Sequence, residues 1–279
     1  MKIPEPVFVQ GGLGIRIATY EYGNPDGPAI LLIHGFNQCH LCWEKQFSGP
    51  LAAKYRIVAL DLRGHGNSEK PDDPAAYRDQ GLWGDDIHAV ISGLGLADPV
   101  LVGWSYGGHI INGYVEKYGT GALAGLVYVG AITVAGNDKA APMYLPESRD
   151  VMSRLADEDA YAAMQSVTGF VERCFAVQPD AKTLQTILAY NMLVPVAVRR
   201  AMRTRVIDAD AVLAAIDIPT LIIHGEEDRI VLPASGRHIA EKVPESRLLI
   251  YDNTGHCPFF EAADRFNADL GGFVGSIVR

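Results

Sequence analysis

Four cysteines in 279 residues are too few for a scaffold built on disulfides. No uninterrupted apolar run reaches the roughly 18 residues that a membrane-spanning helix needs. The richest stretch, Ala122 to Ala135, is broken by Gly125 and Gly130 and holds Thr133, so it reads as a buried strand with its flanks. Positive charge is also scarce: 24 Lys and Arg stand against 33 Asp and Glu, a formal charge of −9. Nucleic-acid binders usually need a net basic face, so no nucleic-acid partner is expected. The segment from Met1 to Gly12 holds no apolar core of a secretory signal. The expected location is the cytoplasm, with no membrane partner. No internal repeat or low-complexity tract is visible.

What remains is ordinary globular composition, 48% hydrophobic and 20% charged. The length suits one large domain, or one domain with an insertion. Val7 to Val9 and Ile15 to Tyr22 read as a hairpin around Gly11-Gly12. Six near-continuous apolar runs follow: Ala29 to Ile33, Arg56 to Leu60, Pro99 to Val102, Gly125 to Val129, Thr220 to Ile223 and Arg247 to Tyr251. Such runs suit parallel strands covered on both faces. Helical patterns lie between several of them: Trp43 to Lys54, Leu82 to Leu94, Gly107 to Tyr118 and Ala234 to Val243. Strand–helix alternation predicts an α/β fold with a mostly parallel sheet. The alternation breaks between Val134 and Val212, where no strand-type run stands out and helical spacing dominates. This segment is expected to be a helical insertion on the sheet.

One motif stands at a strand-to-helix junction. Gly103-Trp104-Ser105-Tyr106-Gly107 follows the run ending at Val102 and opens a helical pattern. That is the context a G-x-S-x-G nucleophile elbow requires. The tight turn lifts the Ser105 hydroxyl above the sheet, and a Cβ at Gly103 or Gly107 would crowd it. The amides of the following helix point at the site and suit a developing oxyanion.

A serine nucleophile needs a base, and the base needs an orienting acid. His256 lies in Asn253-Thr254-Gly255-His256-Cys257-Pro258, just after the last strand run. Asp228 lies in His224-Gly225-Glu226-Glu227-Asp228, just after the run Thr220 to Ile223. Both positions are at strand C-terminal ends, where α/β sheets place their sites. Glu226 or Glu227 is the alternative for the acid. The chain order is Ser105, Asp228, His256.

With His34-Gly35-Phe36, Asp61-Leu62-Arg63-Gly64-His65-Gly66-Asn67-Ser68 and Gly255-His256, these motifs make the chain resemble an α/β-hydrolase fold enzyme over nearly its whole length. The resemblance implies a mostly parallel eight-stranded sheet flanked by helices, with an inserted helical cap. It divides the chain into a core of residues 1–133 and 213–279 and a cap of residues 134–212. It implies that the backbone N–H groups of Phe36 and Tyr106 form the oxyanion hole, and that Asp61 to Gly66 is a structural turn without chemistry. His34 and His65 are expected to be structural as well. A Ser at the elbow excludes relatives that use a carboxylate nucleophile. The chain looks nearest to the carboxylesterase and cofactor-free haloperoxidase (perhydrolase)-like group. A serine hydrolase of a small carboxylic ester with an apolar part is therefore expected, with no cofactor and no metal. Perhydrolase or haloperoxidase-like chemistry and carbon–carbon bond hydrolysis on the same triad are the alternatives. A non-turnover receptor of the same fold is disfavoured by the intact Ser105, Asp228 and His256. The oligomeric state is open, a homodimer being one option.

Every internal Met lies in the insertion: Met143, Met152, Met164, Met192 and Met202. Met fills irregular apolar space and adapts to varied ligands. A substrate pocket lined by Trp104, Met143 and Met164 is expected. Arg199-Arg200-Ala201-Met202-Arg203-Thr204-Arg205 is expected to be a solvated basic face. Cys39 and Cys42 lack the second pair that a structural zinc site needs, and are read as ordinary thiols beside the entrance.

Overall fold

Ala29–Ile33, Val100–Trp104 and Gly125–Val129 are apolar end to end, and such strands are stable only when both faces are covered. The computed structural model describes residues 3–146, 152–203 and 206–278. It puts these three strands side by side in the middle of one sheet, with every residue buried. In chain order the sheet strands are β1 (Val7–Gln10), β2 (Arg16–Gly23), β3 (Ala29–Ile33), β4 (Arg56–Leu60), β5 (Val100–Trp104), β6 (Gly125–Val129), β9 (Thr220–Gly225) and β10 (Ser246–Tyr251). Their spatial order is β1-β2-β4-β3-β5-β6-β9-β10. β1 pairs antiparallel with β2, and β2 with β4. Every other pair is parallel. The expected mostly parallel eight-stranded sheet is present, and the predicted hairpin forms its edge.

The helices are α1 (Gly49–Lys54), α2 (Gln80–Gly93), α3 (Tyr106–Tyr118), α4 (Ala160–Arg173), α5 (Ala181–Met192), α6 (Val196–Arg203), α7 (Asp210–Ala214), α8 (Pro233–Lys242), α9 (Pro258–Glu261) and α10 (Ala263–Ile277). α2, α3 and α8 match predicted helices within two residues. The helix expected from Trp43 to Lys54 is interrupted. A 3-10 turn spans His40–Gln46, and α1 begins afresh at Gly49. Gly49 has φ 77°, and Pro50 has no N–H to donate, so one helix cannot run through.

α4, α5 and α6 lie in the predicted insertion, as expected of a helical segment. The insertion also holds strands that the sequence pattern does not reveal. β7 (Val134–Ala135) and β8 (Ile207–Asp208) pair antiparallel, and so close the two ends of the segment on each other. Two residues are too few to display a period. Aspartates open two of these helices: Asp159 accepts from the Ala162 N–H, and Asp180 from those of Lys182 and Thr183. Among the described residues, no helix is long and apolar enough to cross a membrane.

Candidate active site

Ser105 is the N-cap of α3 and sits at φ 55°, ψ −114°, a conformation costly for a residue with a Cβ. Three backbone hydrogen bonds hold it there: its N–H donates to Val129 O at 2.9 Å, and its carbonyl accepts from Gly108 at 3.0 Å and Ile132 at 2.9 Å. The turn needs glycine for close approach. A Cβ on Gly107 would stand 2.5 Å from Ile33 O, and one on Gly103 2.6 Å from Gly107 O. The expected elbow is therefore formed, at the C-terminal end of central strand β5.

Asp228 follows β9, and His256 follows β10. Asp228 Oδ2 lies 2.6 Å from His256 Nδ1, so Nδ1 carries the proton and donates. His256 Nε2 is buried and has no hydrogen-bond partner among the described residues. Asp228 is buried, whereas Glu226 and Glu227 are exposed, which removes the alternative acids. The other carboxylate oxygen, Asp228 Oδ1, accepts from the N–H groups of Ile230 at 2.8 Å and Val231 at 2.9 Å. Burial acts to raise the Asp228 pKa. The His256 and His224 partners outweigh it and hold the carboxyl well below the usual range. Trp104 ties the pair to the elbow, because its Nε1 donates to His256 O at 2.8 Å.

Two further groups support this pair and were not singled out from sequence. His224 Nε2 donates to Val231 O at 2.7 Å and lies 3.2 Å from Asp228 Oδ2. Glu261 accepts from the N–H groups of Gly255 at 3.0 Å and Cys257 at 3.3 Å, on either side of His256. Its other oxygen accepts from Ala176 at 2.7 Å, just beyond α4, while His256 N–H donates to Cys174 O at 2.8 Å. The histidine loop is thus bonded to the insertion. The only sequence signal for Glu261 is an acid standing alone after Cys-Pro-Phe-Phe.

Phe36 lies against the elbow: a Cβ on Gly35 would be 3.1 Å from Ser105 Cβ, and the Phe36 and Tyr106 ring centroids are 6.4 Å apart. Phe170 of α4 meets Phe36 edge-on at 6.3 Å, giving this side an apolar wall. The next residue, Asn37, has φ 64° and is gripped by the insertion. Here the solvated-face expectation for the arginine run is corrected. Arg199 is buried and donates from Nε to Asn37 Oδ1 at 3.1 Å and from its terminal nitrogens to the Leu155 and Asn191 carbonyls, each at 3.2 Å. Asn37 and Leu155 lie far away in sequence, so local periodicity could not find them. Arg200 faces out toward Glu158, and Arg203 bonds Ser153 O. Thr204 and Arg205 lie outside the described residues.

Two spaces flank the site. One, a small cavity of about 20 Å³, is lined by Trp104, Gln38, Cys42, Cys174, Tyr190 and Cys257 among others. The other is an open cleft whose walls include Ile132, Tyr144, Met152, Ile230 and Arg203. Trp104 is a wall residue of the first space. Met143 and Met164 line neither. Met143 is buried in a small cluster with Val134 and Ala140, and Met164 is 47% exposed on α4. Met152 takes a wall position instead. All four thiols are free and buried. Burial pushes those of Cys42 and Cys257 well above their ordinary range, so neither is a ready nucleophile.

The turn from Asp61 to Gly66 is built as structure. Arg63 makes a buried two-pronged bond to Asp86, with both contacts at 2.7 Å. Cys39, His40 and Asp61 bring potential metal-ligand atoms within 4.8 Å of one another. The Asp61 carboxylate, however, already accepts from His40 N, His40 Nδ1, Asn67 N and Tyr20 Oη. The cluster is a hydrogen-bonded anchor. His34 Nε2 accepts from Leu62 N–H at 3.0 Å, and His65 Nδ1 donates to Arg63 O at 2.9 Å.

Burial drives these two imidazoles down, His34 to about 4 and His65 to about 3. Both are neutral when folded, and both take up protons on unfolding below about pH 6.5. The unfolded state therefore binds more protons between pH 6.5 and 4, and stability falls as pH falls through that window. The expected loss is on the order of 3 kcal/mol or more, at about 1.4 kcal/mol per pKa unit. For Asp61, burial acts to raise the pKa, but His40 outweighs it and leaves about 2. Its contribution is lost later, between about pH 4 and 2. Urea midpoints at pH 7 and pH 4.5 test this; equal midpoints would contradict it.

The wider similarities agree with this geometry. The model of the alpha/beta hydrolase family matches residues 30–269. Among curated proteins, the chain is 29% identical to the non-heme chloroperoxidase CPO-A1 of Kitasatospora aureofaciens, covering 92% of this chain and 95% of the relative. It is 28% identical to the bifunctional esterase/perhydrolase DCH of Acinetobacter calcoaceticus, covering 94% and 97%. Among solved structures, the esterase RhEst1 from Rhodococcus sp. ECU1013 superposes with a TM-score of 0.92 at 32% identity, over 99% of this chain and 100% of that one. These are the esterases and non-heme haloperoxidases that the motifs resemble. Sheet order, elbow and family match converge on one assignment: the chain is an enzyme of the alpha/beta hydrolase family.

Proposed function

We propose that this enzyme hydrolyses small carboxylic esters through Ser105, His256 and Asp228. The observation that carries the reading is the His256 ring. Asp228 holds its Nδ1 at 2.6 Å, its buried Nε2 has no partner among the described residues, and the Trp104 Nε1 bond to its carbonyl ties it to the strained Ser105 turn. His256 Nε2 takes the Ser105 proton as Oγ attacks the ester carbonyl. The oxyanion forms against the N–H groups of Phe36 and Tyr106. His256 then protonates the leaving alcohol, and later activates the water that cleaves the acyl-enzyme. Every proton moves among Ser105, His256, water and alcohol, so the cycle calls on no cofactor. Residues 134–212 act as the cap, whose Phe170 supplies apolar surface beside Phe36 for the apolar part of the ester.

A fluorophosphonate probe tests the reading. Labelling is expected at Ser105, located by peptide mass spectrometry, together with turnover of chromogenic short-chain esters. Folded protein that stays unlabelled at Ser105 would overturn it. Labelling without turnover on an ester panel would instead point to a receptor that kept its triad.

Perhydrolysis is a second reading, favoured by the esterase/perhydrolase and chloroperoxidase names of the relatives. Hydrogen peroxide would replace water at the acyl-enzyme and release a peracid. Oxidation of iodide by enzyme, ester and peroxide together measures it.

A further inference from the structure

We propose that Arg199 is a positioning residue for the oxyanion loop, acting from the insertion through Asn37. The inference rests on the ester-hydrolase reading of the site, because it assigns the Phe36 N–H as an oxyanion donor.

The contacts form a closed set. Arg199 Nε donates to Asn37 Oδ1 at 3.1 Å. Asn37 Nδ2 donates to Asn191 Oδ1 at 2.9 Å, and the Asn191 amide is itself oriented by donation to Ile187 O at 2.8 Å. Gln38 Nε2 reaches the same Asn191 oxygen at 3.4 Å. Both hydrogen-bonding ends of the Asn37 side chain are thus held, one by α6 and one by α5. This residue needs holding. Its φ of 64° lies in the left-handed region, which asparagine visits more readily than other side chains but less freely than glycine, and it directly follows Phe36. Without the grip, the Asn37 backbone would relax toward negative φ and carry the neighbouring Phe36 peptide with it.

The charge of Arg199 is the second observation. Its side chain is buried, and its hydrogen-bond acceptors are Asn37 Oδ1 and the carbonyls of Leu155, Asn191 and Met192. Among the described residues, no carboxylate pairs with it. A buried guanidinium with only neutral acceptors is an expensive way to hold two helices together, since apolar residues of similar volume usually serve as well or better. What an apolar residue cannot do is donate to Asn37 Oδ1 while spanning to the α5 carbonyls. A planar fork of five donors can.

The test separates positioning of an oxyanion donor from general support. The wild type, Arg199→Met, Arg199→Lys, Asn37→Gly and the double variant Arg199→Met/Asn37→Gly are assayed on one ester and on its thionoester. The thionoester places sulfur where the oxyanion forms, and sulfur gains much less from N–H donors. Arg199→Met is expected to lower kcat on the oxoester by about 10–100-fold, a fraction of what a lost donor costs, with KM within about threefold. The preference for oxoester over thionoester should shrink by a similar factor. Arg199→Lys should recover part of the loss. Asn37→Gly tolerates positive φ, removes the amide, and should repeat the Arg199→Met pattern. The double variant should be no worse than the poorer single one, because both break the same chain of contacts.

Folded variants that keep the wild-type oxoester preference, or that lose kcat additively, would overturn the proposal and leave Arg199 a structural residue. Should Arg199→Met fail to fold, Asn37→Gly decides alone by the same preference. A wild type inactive on the oxoester would overturn the ester-hydrolase reading and this inference with it. An active wild type with indifferent variants would overturn only the inference.

Discussion

Ser105→Ala is expected to lower kcat/KM on a chromogenic short-chain ester by about 10⁴–10⁶-fold, the range seen when a triad nucleophile is removed. The size follows from how little else the substitution changes. Ser105 is 4% exposed, and the backbone bonds to Val129, Gly108 and Ile132 hold its turn without help from the hydroxyl. Alanine keeps the Cβ that the turn already accommodates beside Gly35, so the fold and the unfolding midpoint should be preserved. Only the attacking oxygen is lost. The oxyanion donors and the His256–Asp228 pair remain, and they account for residual turnover above the uncatalysed rate. Purified Ser105→Ala that keeps activity within tenfold of wild type would move the nucleophile elsewhere. The buried, high-pKa Cys257 thiol next to His256 is a poor substitute.

Much of this architecture is written locally in the chain, and some of it is not. β3, β5 and β6 could be read because a buried parallel strand is a continuous apolar run, visible residue by residue. The elbow could be read because the close approach of Gly107 to Ile33 O admits no side chain. Asp228 and His256 could be read because strand C-terminal ends collect functional loops. Asp228 prevailed over Glu226 and Glu227 because it alone is turned inward, onto two amides and two imidazoles. The arginine run shows where local reading stops. Arg199 and Arg200 are adjacent and chemically identical, yet one is buried against Asn37 and the other pairs with Glu158. Their difference lies in acceptors supplied by other parts of the chain. Met143 and Met164 fail for the same reason. A helix's methionines are equally apolar on every face, and only tertiary packing decides that Met164 looks outward while Met152 lines the cleft. Glu261 acts through backbone N–H groups, of its own loop and of Ala176, and His224 through Asp228 and a loop carbonyl, contacts that leave no trace in composition or period.

Asp228→Asn should cost about 10⁴ in kcat, the loss known when a triad acid becomes an amide, and here the hydrogen bonds dictate why. Oδ1 accepts from two backbone N–H groups, those of Ile230 and Val231. An asparagine must keep its only oxygen there, because turning the amide over would set its NH₂ against both donors. Its Nδ2 therefore replaces Oδ2, the atom 2.6 Å from His256 Nδ1 and 3.2 Å from His224 Nε2. Nδ2 can only donate, so His256 Nδ1 must accept and its proton moves to Nε2. That tautomer presents an N–H to Ser105 and cannot take the serine proton. His224 adds to the conflict, since its Nε2–H already donates to Val231 O and would also face an N–H. The imidazolium formed during the reaction loses its carboxylate as well. Because substrate contacts are untouched, KM should change little, and fluorophosphonate labelling of Ser105 should slow in step with kcat. Asp228→Asn with near-normal kcat would show that a different group orients His256, and the buried neighbour able to supply a contact is His224.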